Sequence, residues 1–259
     1  MLRGCDVSTF HAPGLVPWQN YDFGIVRATY GVKADGKAAA HVAKIRKAKK
    51  VLGLYHFFLP HQNVASQVEA FGMVAKDAGL TEGDLLPCVD IEAYPDKFSG
   101  STPTHWADVS PLWEPQLRDL VTSLERIYGG CICYITHRDW ILLGQPGWVL
   151  ERPLWVAHYP KTGSRLPLDH PATPGKRPYA IWQCMVGPLN ESLQAPQDPS
   201  AVDQNIAPGP LPLICAQGQA ITPSREPQSI DPNTIPFVRL RDEDWLEMEE
   251  ARDRRCREI

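Results

Sequence analysis

Apolar positions along the chain alternate between two rhythms. Short continuous runs rich in β-branched and aromatic residues, Phe23 to Tyr30 (FGIVRATY), Val51 to Leu59 (VLGLYHFFL), Leu85 to Ile91 and Cys131 to Thr136 (CICYIT), read as buried strands. Between them lie stretches with helical spacing. Gly36 to Lys50 is rich in Ala and Lys, Val64, Val68, Phe71 and Ala75 share one helical face, and Leu112, Leu117, Leu120, Val121, Leu124 and Tyr128 share another. Two further short aromatic runs, Leu154 to Tyr159 and Tyr179 to Met185, are bounded by Pro or Gly. Alternating β and α units predict a parallel sheet, and this many strands in one unit favours an irregular α/β barrel of the (β/α), TIM-barrel-like kind.

In such a barrel the chemistry sits where the strands end. Asp6 closes the first short strand, Tyr55-His56-Phe57 closes another, and Asp90-Ile91-Glu92 closes a third, so a convergence on one mouth is expected. Asp90 and Glu92 are the most informative of these. Side chains two apart on a strand project to one face. Two carboxylates held together and partly shielded from water push one pKa up and leave the other ionised. That combination protonates a leaving group while stabilising positive charge, the chemistry of cutting a glycosidic bond. Asp-x-Glu is also a short pattern that fits an exposed strand end or a metal site.

Composition narrows the field. At 259 residues, 43% hydrophobic and 22% charged, the chain suits one large domain. A net charge of -4, with no Lys/Arg run interleaved with aromatics, argues against nucleic acid as a partner. No run of 18 apolar residues is present, so no membrane span is expected. The start, Met1 to Asp6, lacks the apolar stretch of a secretion signal, which predicts synthesis in a host cytosol. The seven cysteines include no CxxC and mostly lie in apolar runs; reduced thiols and no zinc site are expected.

Six motifs in order carry a resemblance: Gly4-Cys5-Asp6-Val7-Ser8, Val26-Arg27-Ala28-Thr29-Tyr30-Gly31, Gly53-Leu54-Tyr55-His56-Phe57, Asp90-Ile91-Glu92, Leu154-Trp155-Val156-Ala157 and Ile181-Trp182-Gln183. Over roughly residues 3 to 210 the chain resembles the family 25 glycoside hydrolases, the Chalaropsis-type lysozymes common as phage endolysins. The resemblance implies a muramidase that cleaves the β-1,4 bond between N-acetylmuramic acid and N-acetylglucosamine in bacterial cell-wall peptidoglycan, with no cofactor and no metal. It implies Glu92 as general acid, Asp90 as its strand partner, Asp6 as the acid of the opening motif and Asp203 as the acid on the last strand. An enzyme nucleophile and assistance by the substrate's 2-acetamido group both remain open. Tyr55, Tyr94, Tyr134, Trp155 and Trp182 are the candidate sugar-stacking aromatics, with about half expected to face the groove and the rest to fill the barrel. His56 and His158 read as hydrogen-bonded structural histidines.

Some features depart from the family pattern. His11 stands where a Gln or Asn often follows the opening motif, and the loop at 32–37 is not the usual acidic one. Gly31 to Ala38 nearly spells a phosphate-binding loop, but Ala38 lacks the hydroxyl that would hold Mg²⁺. Asn190-Glu191-Ser192 matches a glycosylation acceptor but has no meaning without secretion. Beyond the barrel, assigned to residues 1–210, prolines from Ala207 to Phe237 predict an extended arm, and 238–259 reads as a short charged helix with acids first and arginines last. Residues 207–259 are a possible tether to a virion or other assembly. Two settings follow: a phage lysin that reaches the wall after release, or a virion component using the same barrel structurally. Truncation near Pro210 is expected to leave a free lysin active and to detach an assembly component.

Overall fold

The expected strands form. In the computed structural model, which describes residues 1–60, 62–92, 113–158, 171–186 and 202–215, they are β1 (Leu2–Val7), β2 (Phe23–Tyr30), β3 (Lys33–Ala34), β4 (Val51–Phe57), β5 (Cys88–Ile91), β6 (Ile132–Thr136), β7 (Leu154–Ala157), β8 (Ile181–Val186) and β9 (Asp203–Ala207). The helices are α1 (Ala38–Lys47), α2 (Val64–Asp77), α3 (Trp113–Tyr128) and the short α4 (His137–Leu142). Among the described residues the sheet order is β1-β9-β8-β7-β6-β5-β4-β2, and β1 also pairs with β2, which closes the ring into an eight-stranded barrel. β3 is a short hairpin strand on β2.

Leaving the hairpin strand β3 aside, neighbours from β1 through β8 in chain order pair in parallel, whereas β9 runs antiparallel to both β8 and β1. The barrel is thus irregular at its seam. β2, β4, β5, β6 and β7 are buried on both faces over nearly their whole length, which is why they read as continuous apolar runs rather than alternating ones. α1 buries Ala38, His41, Val42 and Ile45, and α3 buries Leu117, Leu120, Val121 and Leu124; both are i, i+3, i+4, i+7 stripes laid on the outside of the sheet. Asn63 caps α2 by accepting from the Ser66 N–H at 3.0 Å, and Thr136 caps α4 by accepting from the Asp139 N–H at 2.9 Å.

Two apolar layers result. Outward-facing Val26, Leu54, Val89, Ile135 and Val156 pack with the helices, while Phe23, Ile25, Cys88, Ile132, Trp155 and Ile181 fill the barrel interior. Gly4 is required for that filling. A Cβ there would lie 2.2 Å from Cε2 of Phe23, its register partner on β2.

The other end of the barrel is closed by chain that the proline count had assigned to the arm. Leu213 bridges Leu85, the Leu86 N–H donates to the Pro212 carbonyl at 2.9 Å, and Gly83 and Asp84 exchange bonds of 3.1 and 2.8 Å with Ile214. Leu211 and Leu213 pack against the interior cluster. Residues 211–215 therefore belong with the barrel. The charged helix expected at 238–259 and Tyr94 lie outside the described residues. No helix among those described is long and apolar enough to cross a membrane.

The phosphate-loop lookalike is a turn. Gly31 adopts φ +55°, letting the chain reverse into β3, and Asp35 is buried in an ion pair with Arg27. The described cysteines, Cys5, Cys88, Cys131, Cys133, Cys184 and Cys215, are free thiols.

Candidate active site

Strand alternation decides which side chains reach the interior. On β1, Cys5 and Val7 pack outward with the helix layer, so Asp6 faces inward. On β5, Val89 and Ile91 pack outward while Cys88 joins the interior cluster, which puts Asp90 on the inner face. Asp6 and Asp90 are only 6% and 5% exposed, whereas Glu92, one residue past the strand, is partly open to solvent. Asp203 arrives by a different route. Because β9 runs backwards, its first residue stands at the end where the parallel strands finish, and Asp203 is the direct register partner of Asp6. All four predicted acids are thereby carried to the carboxyl-end mouth.

A buried hydrogen-bonded chain holds Asp6. Its Oδ2 accepts from Gln183 Nε2 at 2.9 Å and from Asn205 Nδ2 at 2.7 Å. Trp155 Nε1 donates to Asn205 Oδ1 at 2.8 Å, and the Tyr134 hydroxyl donates to Gln183 Oε1 at 2.8 Å. An indole N–H can only donate, so it fixes which end of the Asn205 amide faces it and which end is left for Asp6. Each amide thus presents N–H to the carboxylate.

The barrel floor reports the same charges. Burial pushes the Cys88 thiol well above its ordinary range, and Cys133, Asp6 and Asp90 add to the rise, so Cys88 feels both acids from below. Around the mouth, Asp90 is in register with Phe57 and with Tyr134, and Tyr134 with Trp155. The Arg27 guanidinium lies 5.4 Å from the Phe10 ring centroid and 5.7 Å from that of Tyr30, and its Nε donates to Asp35 at 2.9 Å. Asp35 also accepts from the Thr9 and Lys37 N–H groups, both at 2.8 Å, which ties the loop after β1 to the start of α1. That loop carries His11, whose Nδ1 accepts from the Ser8 N–H. Among the described residues no group of three or more His, Cys, Asp and Glu side chains is arranged to hold a metal ion.

The candidate aromatics fall into different places. Trp155 is 2% exposed at the centre of the interior cluster, with ring centroids 4.7 Å from Tyr134 and 6.1 Å from Tyr55, both edge-on. Tyr55 is 4% exposed and Tyr134 is 8% exposed. Trp182 points the other way, packing with Cys184 and Ile206, and donates its indole N–H to the His158 carbonyl at 2.7 Å. His56 also lies outside the barrel interior, between Thr29 and Gln67. Gln183 and Asn205 were not singled out from the sequence. The signal that marks them is an amide residue at an inward position of a barrel strand.

A closed β/α barrel with carboxylates gathered at its carboxyl-end mouth has the layout of a glycoside-cleaving enzyme. Residues 6–185 match the sequence model of glycosyl hydrolases family 25, and the chain belongs to that family; it is a glycoside hydrolase. The matched span contains Asp6, Asp90 and Glu92, and the β9 register adds Asp203 from beyond it. No curated protein matches the chain in sequence. Among solved structures, the chain is similar to a family 25 glycosyl hydrolase from Bacillus anthracis, at 23% identity and a TM-score of 0.59, covering 81% of this chain and 90% of that one. It is similar to the lysozyme of Streptomyces coelicolor at 22% identity and a TM-score of 0.60, covering 80% and 92%. The catalytic domain of an endolysin from a bacteriophage of Listeria monocytogenes gives 18% identity and a TM-score of 0.58, covering 80% and 93%.

Proposed function

We propose that this protein is a muramidase that cleaves the β-1,4 bond between N-acetylmuramic acid and N-acetylglucosamine in peptidoglycan, and that it serves as a phage lysin. The observation that carries the reading is the strand register, which sets Asp6 opposite Asp203, with Asp90 on the inner face of β5 and Glu92 one residue past its end. Family membership and the likeness of the fold to a lysozyme and to an endolysin catalytic domain support it.

In this mechanism Glu92, partly open to solvent just past the end of β5, delivers its proton to the glycosidic oxygen as the bond breaks. Asp90, beside it and buried, stays ionised and faces the positive charge that grows on the ring oxygen and anomeric carbon; water then supplies the hydroxyl that the anomeric carbon takes and the proton that restores Glu92. Asp6 and Asp203 extend that negative wall across the seam of the barrel. Of the candidate sugar contacts, Tyr134 and Tyr55 stand on strands beside Asp90, and Tyr94 follows Glu92 by two residues. Trp155 and Trp182, both buried in packing, contribute by shaping the barrel that supports these contacts.

The test is product chemistry. Digested peptidoglycan is reduced with borohydride and hydrolysed; a muramidase yields the alditol of muramic acid, because that sugar becomes the new reducing end. Glucosamine alditol, or new amine termini without new reducing ends, would overturn the assignment.

A further inference from the structure

The hydrogen-bonded chain around Asp6 has a directionality that the four-acid description does not use. Trp155, on β7, and Tyr134, on β6, each donate to the oxygen of an amide, and both amides turn their N–H groups onto the same carboxylate oxygen. Gln183 interrupts the apolar strand β8 and Asn205 sits on β9, both buried where an aliphatic residue would pack at less cost, at 3% and 0% exposed. A buried amide pair converging on one oxygen has a specific electrostatic effect. It presents two positive dipole ends and no acceptor, so it favours the ionised acid over the protonated one and fixes the carboxylate plane.

We propose that Gln183 and Asn205 are positioning residues that hold Asp6 as an ionised acceptor, and that Trp155 and Tyr134 set the orientation of the two amides. This rests on the muramidase reading only in giving Asp6 its task. The pinned carboxylate keeps negative charge at the seam of the mouth even though Asp203 from β9 and Asp90 and Glu92 from β5 share the space. Those like charges favour protonation of Asp6, as does burial; the amides oppose both. Among the described residues, the Cys5 and Cys88 thiols both feel the Asp6 charge, the Tyr134 hydroxyl reaches it through Gln183, and Arg27 stands on the neighbouring strand β2. Without the amides, a cluster of four acids would settle its repulsion by protonating one of its buried members, and Asp6 would stop contributing charge.

The test replaces donor by acceptor. Asn205→Asp keeps shape but removes the N–H aimed at Asp6, and Gln183→Glu does the same on the other side. Two readouts are taken on the full chain: the acid limb of the pH profile of kcat/KM on peptidoglycan, and the carbon-13 titration of the Asp6 carboxyl by NMR. In both variants the acid limb moves to higher pH by about one unit or more, activity near the limb falls at least about tenfold, and the Asp6 carboxyl titrates at higher pH than in the parent protein. Trp155→Phe, which frees the Asn205 amide to rotate, moves both readouts the same way by less. A merely structural role would scale activity at every pH and leave the limb in place. An unmoved Asp6 titration in a folded variant overturns the inference. If the parent protein cleaves no glycan yet the Asp6 titration moves, the muramidase reading fails and this inference stands; if cleavage is intact and the titration is unmoved, this inference falls alone. Should either single variant lose its fold, the other carries the test.

Discussion

A fully buried histidine whose tautomer the structure fixes contributes to the loss of stability in mild acid. Gln67 Oε1 accepts the Leu59 N–H at 3.0 Å while its Nε2 donates to the Leu59 and Gln62 carbonyls, so Gln67 Oε1 can only be an acceptor toward His56. His56 Nε2 therefore carries the proton and donates to it at 3.1 Å, leaving Nδ1 to accept from the Thr29 hydroxyl at 2.7 Å. The ring is fully buried, and burial lowers its pKa from 6.5 to about 4, with the Gln67 bond opposing in part. The sign follows directly. Between pH 6.5 and 4 the unfolded chain binds a proton that the folded ring refuses, so stability falls as pH falls through that window. From the two values, the loss between pH 7 and pH 5 is about 2 kcal/mol, approaching about 3 kcal/mol at pH 4. His56→Gln removes the titration, while other groups titrate alike in both proteins and cancel in the difference. Urea unfolding at pH 7, 6 and 5 measures it: the parent loses about 2 kcal/mol more than the variant over that range. Parallel pH dependences, whatever the absolute stability of the variant, would refute the assignment. His11, lowered to about 4 by burial, then by His41 and the cations Arg27 and Lys37, acts in the same direction.

Two further outcomes are expected. Asp35→Ala leaves the buried Arg27 guanidinium without its ion-pair partner and releases the Thr9 and Lys37 N–H groups, so it destabilises by about 3–5 kcal/mol in thermal or urea unfolding; a change within experimental error would contradict the buried-pair account. A chain ending after Cys215 keeps the cap on the barrel floor and so keeps stability and peptidoglycan cleavage, whereas one ending after Pro210 loses the bonds and apolar contacts of 211–215, at a cost of about 2–4 kcal/mol; equal stability of the two would show that the floor needs no cap.

The parts of this architecture that were readable in the sequence are those with a local signal. Phe23 to Tyr30 is a strand over the span its apolar run predicts, and the α3 stripe appears at Leu117, Leu120, Val121 and Leu124 as its spacing requires. Asp90 lies on the inner face of β5 as strand alternation predicts, and Glu92 follows one residue past the end of that strand. Asp203 is different. Its place at the mouth depends on β9 returning antiparallel across the seam, and no short-range pattern encodes strand direction. The aromatics were ambiguous for a related reason: Trp155 and Trp182 both lie in short apolar strands, yet one faces the barrel centre and the other packs outside it, a one-residue question of phase. The role of Gln183 and Asn205 depends on β6, β7, β8 and β9 meeting around Asp6, which no local pattern announces. The floor segment 211–215 was hidden by its prolines, which read as linker until Leu213 is seen to bridge Leu85.

The central claim is that Glu92 supplies the proton that breaks a glycosidic bond, and Glu92→Gln tests it most directly. The substitution keeps the side chain's size at the mouth of β5 but removes its acid. With unchanged circular dichroism and unfolding midpoint, the variant is expected to release reducing ends from purified peptidoglycan at least about a thousandfold more slowly than the parent protein. Release at the parent rate by the folded variant would contradict the account.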